Sequence, residues 1–174
     1  MTIRTVRPIL ALGALGALAA LVSACATTPS VEGAAGEGGS APAPVAGYDW
    51  FLNDHDGSVQ LVYGQAESDD VRLSLVCEGG REARLEVAAH AAQARPAEIH
   101  LESGGETERF QAEAEPYGVG DGYWLTAMAR TTEPVFQRFR QTRWIAQWEG
   151  QDRHVYAAHP GSGDRIETFF SRCG

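Results

Sequence analysis

The stretch VRLSLVCEGGREARLEVA, residues 71–88, decides the fold. Val71, Leu73, Leu75 and Cys77 alternate with Arg72, Ser74, Val76 and Glu78; past Gly79-Gly80, Leu85, Val87 and Ala89 alternate with Arg84, Glu86 and Ala88. A period of two puts one set of side chains on one face, so both runs read as half-buried strands with a turn between them. The pattern recurs outward. Val59, Leu61 and Tyr63 alternate with polar neighbours, and Ile99 and Leu101 sit between Glu98, His100 and Glu102. Further strands are expected over Tyr123–Ala129, Arg143–Glu149 and His154–Ala158. Turn chemistry separates them at Asp54-His55-Asp56-Gly57, Ser103-Gly104-Gly105, Gly118-Val119-Gly120 and Gly161-Ser162-Gly163. About nine strands at this spacing predict a mainly β chain, a single antiparallel β-sandwich or flattened barrel.

Two short helices interrupt the alternation. Thr132 is placed to cap the first, with Pro134 in its first turn and Val135, Phe136 and Phe139 on one face. Asp164 is placed to cap the second, with Glu167 reaching back, and Ile166, Phe169, Phe170 and Cys173 line one side. The Ala-rich piece Ala88–Ala94 reads as strand then loop, because Pro96 would cut a helix short.

The chain has 174 residues, 21% charged and 9% aromatic, which is ordinary for one folded domain. Its net charge of −9 argues against nucleic acid, which calls for a basic footprint. All 14 basic residues are Arg, so Schiff-base and P-loop lysine chemistry are excluded.

The first residues carry an address. Arg4 and Arg7 precede an uncharged apolar run, Ile9–Ala24. A transmembrane helix takes about 20 residues, and this run is shorter and fits the core of a secretory signal. It ends in Val22-Ser23-Ala24-Cys25, which resembles the lipobox of bacterial lipoproteins; Leu is commoner than Val at its first position. The resemblance implies that residues 1–24 are removed and that Cys25 becomes a lipidated N-terminus. Each buried CH₂ of an acyl chain contributes about 0.8 kcal/mol, so several chains on one Cys hold firmly. Ala26, where Asp commonly marks inner-membrane retention, implies the periplasmic face of the outer membrane. Residues 25–47 then form a tether of Ala, Gly, Pro, Ser and Thr with too little apolar area to fold, spanning about 25 Å r.m.s. as a coil. The β-rich domain is 48–174.

With Cys25 assigned to lipid, Cys77 and Cys173 remain in an oxidising compartment. They are expected to form a disulfide pinning the C-terminal helix to a central strand. A reactive thiol or a metal pair are the alternatives, though without CxxC or a nearby His the metal spacing is poor.

Motifs for catalysis are thin. Asp54-His55-Asp56-Gly57 resembles a calcium loop, but with Gly57 at the sixth position Leu52 and Tyr63 stand where carboxylates are needed. His55, flanked by acids, is the best general base by sequence, and a hairpin turn is the simpler reading. His154 and His159, five apart, point to opposite strand faces and make a poor zinc pair. Ser162 between glycines lacks the outer glycines of a nucleophile elbow. No cofactor fingerprint appears.

Charge is more informative. From Asp49 to Asp121 there are 16 acids and five Arg, a net −11; from Ala127 to Gly174, with Arg130 counted in, five acids and seven Arg, a net +2. Arg138, Arg140 and Arg143 cluster near Trp144 and Trp148, a pairing of guanidinium forks and stacking faces that suits a cell-wall glycan or an anionic lipid. Pairing of these arginines with the acidic half is the simpler alternative. The acidic half could instead dock a basic protein. The leading expectation is a membrane-tethered, non-enzymatic binding or scaffolding domain. The plan of lipidated Cys, acidic β domain and one disulfide is similar to that of small β-barrel lipoproteins that inhibit lysozyme. Their Ser-Gly-x-x-Tyr segment is not matched: neither Ser103-Gly104-Gly105 nor Ser162-Gly163 is followed by the Tyr. A hydrolase using His55 or Ser162 is the third reading.

Overall fold

Leu73, Leu75, Val87 and Ala89 are all buried and face one another across an antiparallel pair at the centre of a six-stranded sheet. The computed structural model describes residues 41–55, 57–78 and 83–174; the leader 1–24, Cys25 and the tether through residue 40 lie outside them. The elements run β1 (Tyr48–His55), β2 (Ser58–Gln65), β3 (Val71–Glu78), β4 (Arg84–Ala91), β5 (Glu98–Ser103), β6 (Glu106–Gln111), β7 (Glu113–Pro116), β8 (Tyr123–Arg130), α1 (Pro134–Thr142), β9 (Trp144–Glu149), β10 (Asp152–Ala157) and α2 (Gly163–Cys173). One sheet has the order β1-β2-β3-β4-β8-β7 and the other β10-β9-β5-β6, with every pairing antiparallel. The two sheets pack together as a β-sandwich and do not close into a barrel.

Alternation sets what fills the space between the sheets. Trp50, Tyr63, Leu73, Ala89 and Leu125 form one cross-strand row of the first sheet and are all buried. Ile99, Leu101, Ile145 and Tyr156 supply the facing wall. Helices α1 and α2 complete the core with Val135, Phe136, Phe139, Ile166, Phe169 and Phe170. Cys77 on β3 and Cys173 at the end of α2 are joined by a disulfide, with Cα atoms 5.8 Å apart.

Neither helix is capped as its sequence suggests. Glu133, not Thr132, occupies the α1 N-cap, with no side-chain capping bond. The hairpin β5–β6 brings Glu108 over that end, and its Oε1 accepts the Val135 N–H at 2.9 Å. A carboxylate there also suits the helix dipole. Ser162, not Asp164, precedes α2, and Glu167 turns away to Arg140 instead of back to the cap.

The ladder slips once, between Tyr63 and Gly64, so that Tyr63 faces Leu73, Gly64 faces Val71, and Arg72 is left over. Such a bulge re-aims one side chain. A Cβ on Gly64 would lie 2.6 Å from the Asp70 carbonyl oxygen, so only glycine permits this approach.

Candidate binding surfaces

The residues singled out by charge and aromaticity separate in space. Arg138 donates to the Ser103 carbonyl at 2.8 Å and pairs with Glu106 at 2.9 Å and Glu108 at 3.1 Å. Arg140 holds Glu167 with two nitrogens. Arg143, the C-cap residue of α1 at φ 65°, donates to the Gly163 carbonyl at 3.0 Å and lies 3.7 Å from Glu167. All three therefore tie α1 to its neighbours. Trp144 and Trp148 project from the outer face of the four-stranded sheet, because Ile145 and Gln147 take the inner one. Arg153 stands over them, its guanidinium carbon 5.3 Å from the Trp144 ring centre and 6.0 Å from that of Trp148. Spacing along the chain could not have paired Arg153 with these rings; cross-strand register does, since Arg153 lies opposite Trp148.

Glu102 organises this platform. It is 8% exposed, accepts two bonds from Arg153 at 2.8 Å and takes the Trp148 indole N–H at 2.6 Å. The Arg153 hydrogen bonds, then the indole, hold its carboxyl below the usual range against the opposing cost of burial. Such a group stabilises the fold above its unfolded pKa and loses that contribution as pH falls through the folded one. Glu102→Gln keeps the shape and removes the charge. At pH 7 it should lower stability by about 1–3 kcal/mol, and the gap to the parent should close below about pH 4. Urea titrations at pH 7 and pH 3 measure this; an equal gap at both would show that the charge is not what stabilises. In the cross-strand row of Trp148 and Arg153, His100 has its pKa lowered by desolvation first and by Arg109 second, so it is neutral at pH 7.

The outer face of the six-stranded sheet is a different surface. Phe51, Val62, Ser74 and Ala88 form one row on it, and Asn53, Gln60, Val76 and Glu86 the next. Together they floor a groove of about 690 Å³. Its end is built by the loop after β7. Tyr117 stacks on Trp124, with ring centres 5.8 Å apart, and its hydroxyl donates to the Asp69 carbonyl at 2.6 Å. Glu67, Asp69 and Glu86 line this groove, and among the described residues no Arg or His does. Val119, 64% exposed, lines it and Met128, 55% exposed, borders it; they are two of the three large exposed apolar side chains among the described residues. The sequence carried a signal for this face. Phe51, Val62, Val76 and Ala88 are apolar where an outward-facing strand position would be polar, and Val62 and Ala88 are buried there.

A second concavity, of about 580 Å³, opens where the edges of the two sheets meet, walled by Tyr48, Tyr63 and Tyr156. Tyr48 bonds Asp70, and Tyr156 donates to Gln147 Oε1 at 2.9 Å. The Tyr63 hydroxyl is the one buried side-chain polar atom without a partner among the described residues. Leaving such a group unpaired costs about 1–3 kcal/mol.

Of the histidines and serine weighed for chemistry, Ser162 and His159 are tied into the fold. Ser162 is buried and donates to Asp49, which also pairs with Arg165 at 3.3 Å. His159 Nε2 lies 3.0 Å from the Tyr48 carbonyl. His154 lies on β10, 4.0 Å from Glu149, and His55 ends β1. Among the described residues no group of three or more His, Cys, Asp or Glu is placed to hold a metal ion. No family model, curated protein or solved structure matches the chain.

Proposed function

We propose that this chain is a lipid-anchored binding protein of the bacterial envelope that docks a cationic partner through the outer face of its six-stranded sheet. The observation that carries the reading is the groove itself: a floor that mixes Phe51, Val62, Val76 and Ala88 with polar side chains, carboxylates along it and no cation among its described lining residues. Apolar contact supplies affinity and the acidic rim supplies selection and encounter rate. A glycan or anionic lipid fits this groove less well, since its described lining holds carboxylates and no guanidinium, and Arg165, over the Phe51 ring, is engaged by Asp49. Anchorage rests on Val22-Ser23-Ala24-Cys25, and the tether gives the domain reach from the membrane. Scaffolding of the envelope through such a partner belongs to the same reading. When the partner is a cationic cell-wall-degrading enzyme such as lysozyme, docking becomes inhibition, and the acidic rim favours that second reading.

Purified full chain in detergent, presented to lysozyme and to a basic amphipathic peptide, tests the proposal. Val76→Lys with Glu86→Lys puts two cations on the floor and should weaken binding at least tenfold, about 1.4 kcal/mol. Equal binding by parent and variant would remove the groove from the account. Loss of lysozyme turnover on binding supports the inhibitor reading. In cells, Cys25→Ser should move the protein out of the membrane fraction; retention as firm as the parent's would exclude lipidation at that sulfur.

A further inference from the structure

We propose that the cleft beside Tyr63 is a binding site for a small carboxylate-bearing molecule with an apolar body. It is separate from the groove of the proposed function and lies on the other side of the six-stranded sheet. The cleft, about 580 Å³, falls within the range of small-molecule sites. Its wall is a run of three phenol rings, with Tyr63 centred 5.8 Å from Tyr48 and 4.8 Å from Tyr156. Two of the three hydroxyls have partners within the protein, and Tyr63's does not. Burial first, and the charge of Asp49 second, push the Tyr63 pKa up to about 12, so the group is a neutral hydroxyl with a proton to donate.

Arg72, the residue left over at the β2–β3 bulge, lines the same cleft. Its Nε and Nη2 are engaged by Asp70 at 2.8 and 3.1 Å, and Nη2 also reaches the Tyr48 hydroxyl at 3.3 Å. Nη1 takes no part in those bonds. Lining one cleft, a hydroxyl that lacks an acceptor and a guanidinium with a nitrogen to spare match the two oxygens of a carboxylate. Val45, Val155 and Ala92 give the remainder of the molecule an apolar wall. Glu149, also lining the cleft, accepts the Ala92 N–H at 2.6 Å and disfavours a second negative group beside it, and Arg153, on the same lining, is already engaged by Glu102.

Benzoate and its neutral isostere benzamide are the probes, titrated into the full chain in detergent while the amide resonances of Tyr63, Arg72, Ala92 and Val155 are followed. Benzoate should shift them with a Kd of about 1 mM or tighter, benzamide at least fivefold more weakly. Tyr63→Phe deletes a hydroxyl that bonds to nothing in the protein, so it should fold with an unchanged or higher midpoint and bind benzoate at least fivefold more weakly. Arg72→Gln should do the same and carries the test if Tyr63→Phe does not fold. Absence of shifts up to about 10 mM benzoate, benzamide binding as tightly as benzoate, or equal affinity of the folded variants would each overturn the proposal.

Discussion

Replacing Cys77 and Cys173 together by Ala should lower stability by about 4–5 kcal/mol, the chain-entropy value for a loop this long. The residues are 96 apart in sequence, so the bridge closes most of the domain into one ring and restricts the unfolded chain accordingly. It also fixes a particular contact. Cys77 lies opposite Val59 on β2, in the interior of the six-stranded sheet, and Cys173 ends α2. Both are buried, at 2% and 6% exposure. Without the bond the helix still presents Ile166, Phe169 and Phe170 to the core, so the domain should fold, with a thermal midpoint lower by on the order of 10–20 °C. Thermal and urea unfolding of parent and double variant measure the difference. A change under about 1 kcal/mol would show that strain in the native state cancels the loop term. Titrating thiols in denatured, unreduced protein is the companion check; two free thiols would contradict the bond.

Which parts of this fold the chain announced follows from where each strand sits. Strands β3 and β4 are central, and one of their faces is fully dry, so Leu73, Leu75, Leu85 and Val87 had to alternate with other residues. Strands β6 and β7 lie at the edges of their sheets, and Glu106, Thr107, Arg109, Glu113 and Glu115 are exposed. An edge strand with little to bury leaves no hydrophobic period, which is why about nine strands were expected and the described residues form ten. Strand β1 was hidden for the opposite reason: Trp50 and Leu52 face the core while Phe51 faces the groove, so apolar residues run together. The cysteine pair was legible because, with Cys25 assigned to the lipobox and an oxidising compartment expected, parity needs no geometry. Pairing of Arg138 with the acidic half was the simpler expectation, and Glu106 and Glu108 supply it; that Arg140 and Arg143 meet Glu167, outside that half, was not legible, since it is fixed only by how the two helices meet. Tyr63 was read as one more alternating aromatic; that its hydroxyl stands alone depends on which side chains the two sheets bring round it, which no spacing along the chain records.

Trp50→Ala should cost about 3–5 kcal/mol, the usual range for emptying an aromatic site in a core. Trp50 is fully buried on β1, with its ring centre 4.8 Å from Phe139 on α1 and 5.3 Å from Tyr63 on β2. Its indole N–H donates across the sandwich to the Tyr156 carbonyl on β10 at 3.3 Å. One side chain therefore touches the first sheet, the second sheet and a helix. Substitution by Ala removes the packing at all three and leaves a buried carbonyl without that donor. Its main-chain carbonyl, which accepts from Arg165 at 2.7 Å, is kept, so β1 stays tied to α2 and the variant should still pair its strands. Because a domain of this size has only about 5–15 kcal/mol in hand, the loss should be visible as a large drop in the urea midpoint with the slope unchanged. Trp50→Phe refills most of the volume and loses only the hydrogen bond, so it should fall by about 1–2 kcal/mol. If Ala and Phe prove equally destabilising, the indole N–H dominates over packing at this junction; if neither moves the midpoint, β1 is not part of the cooperative core.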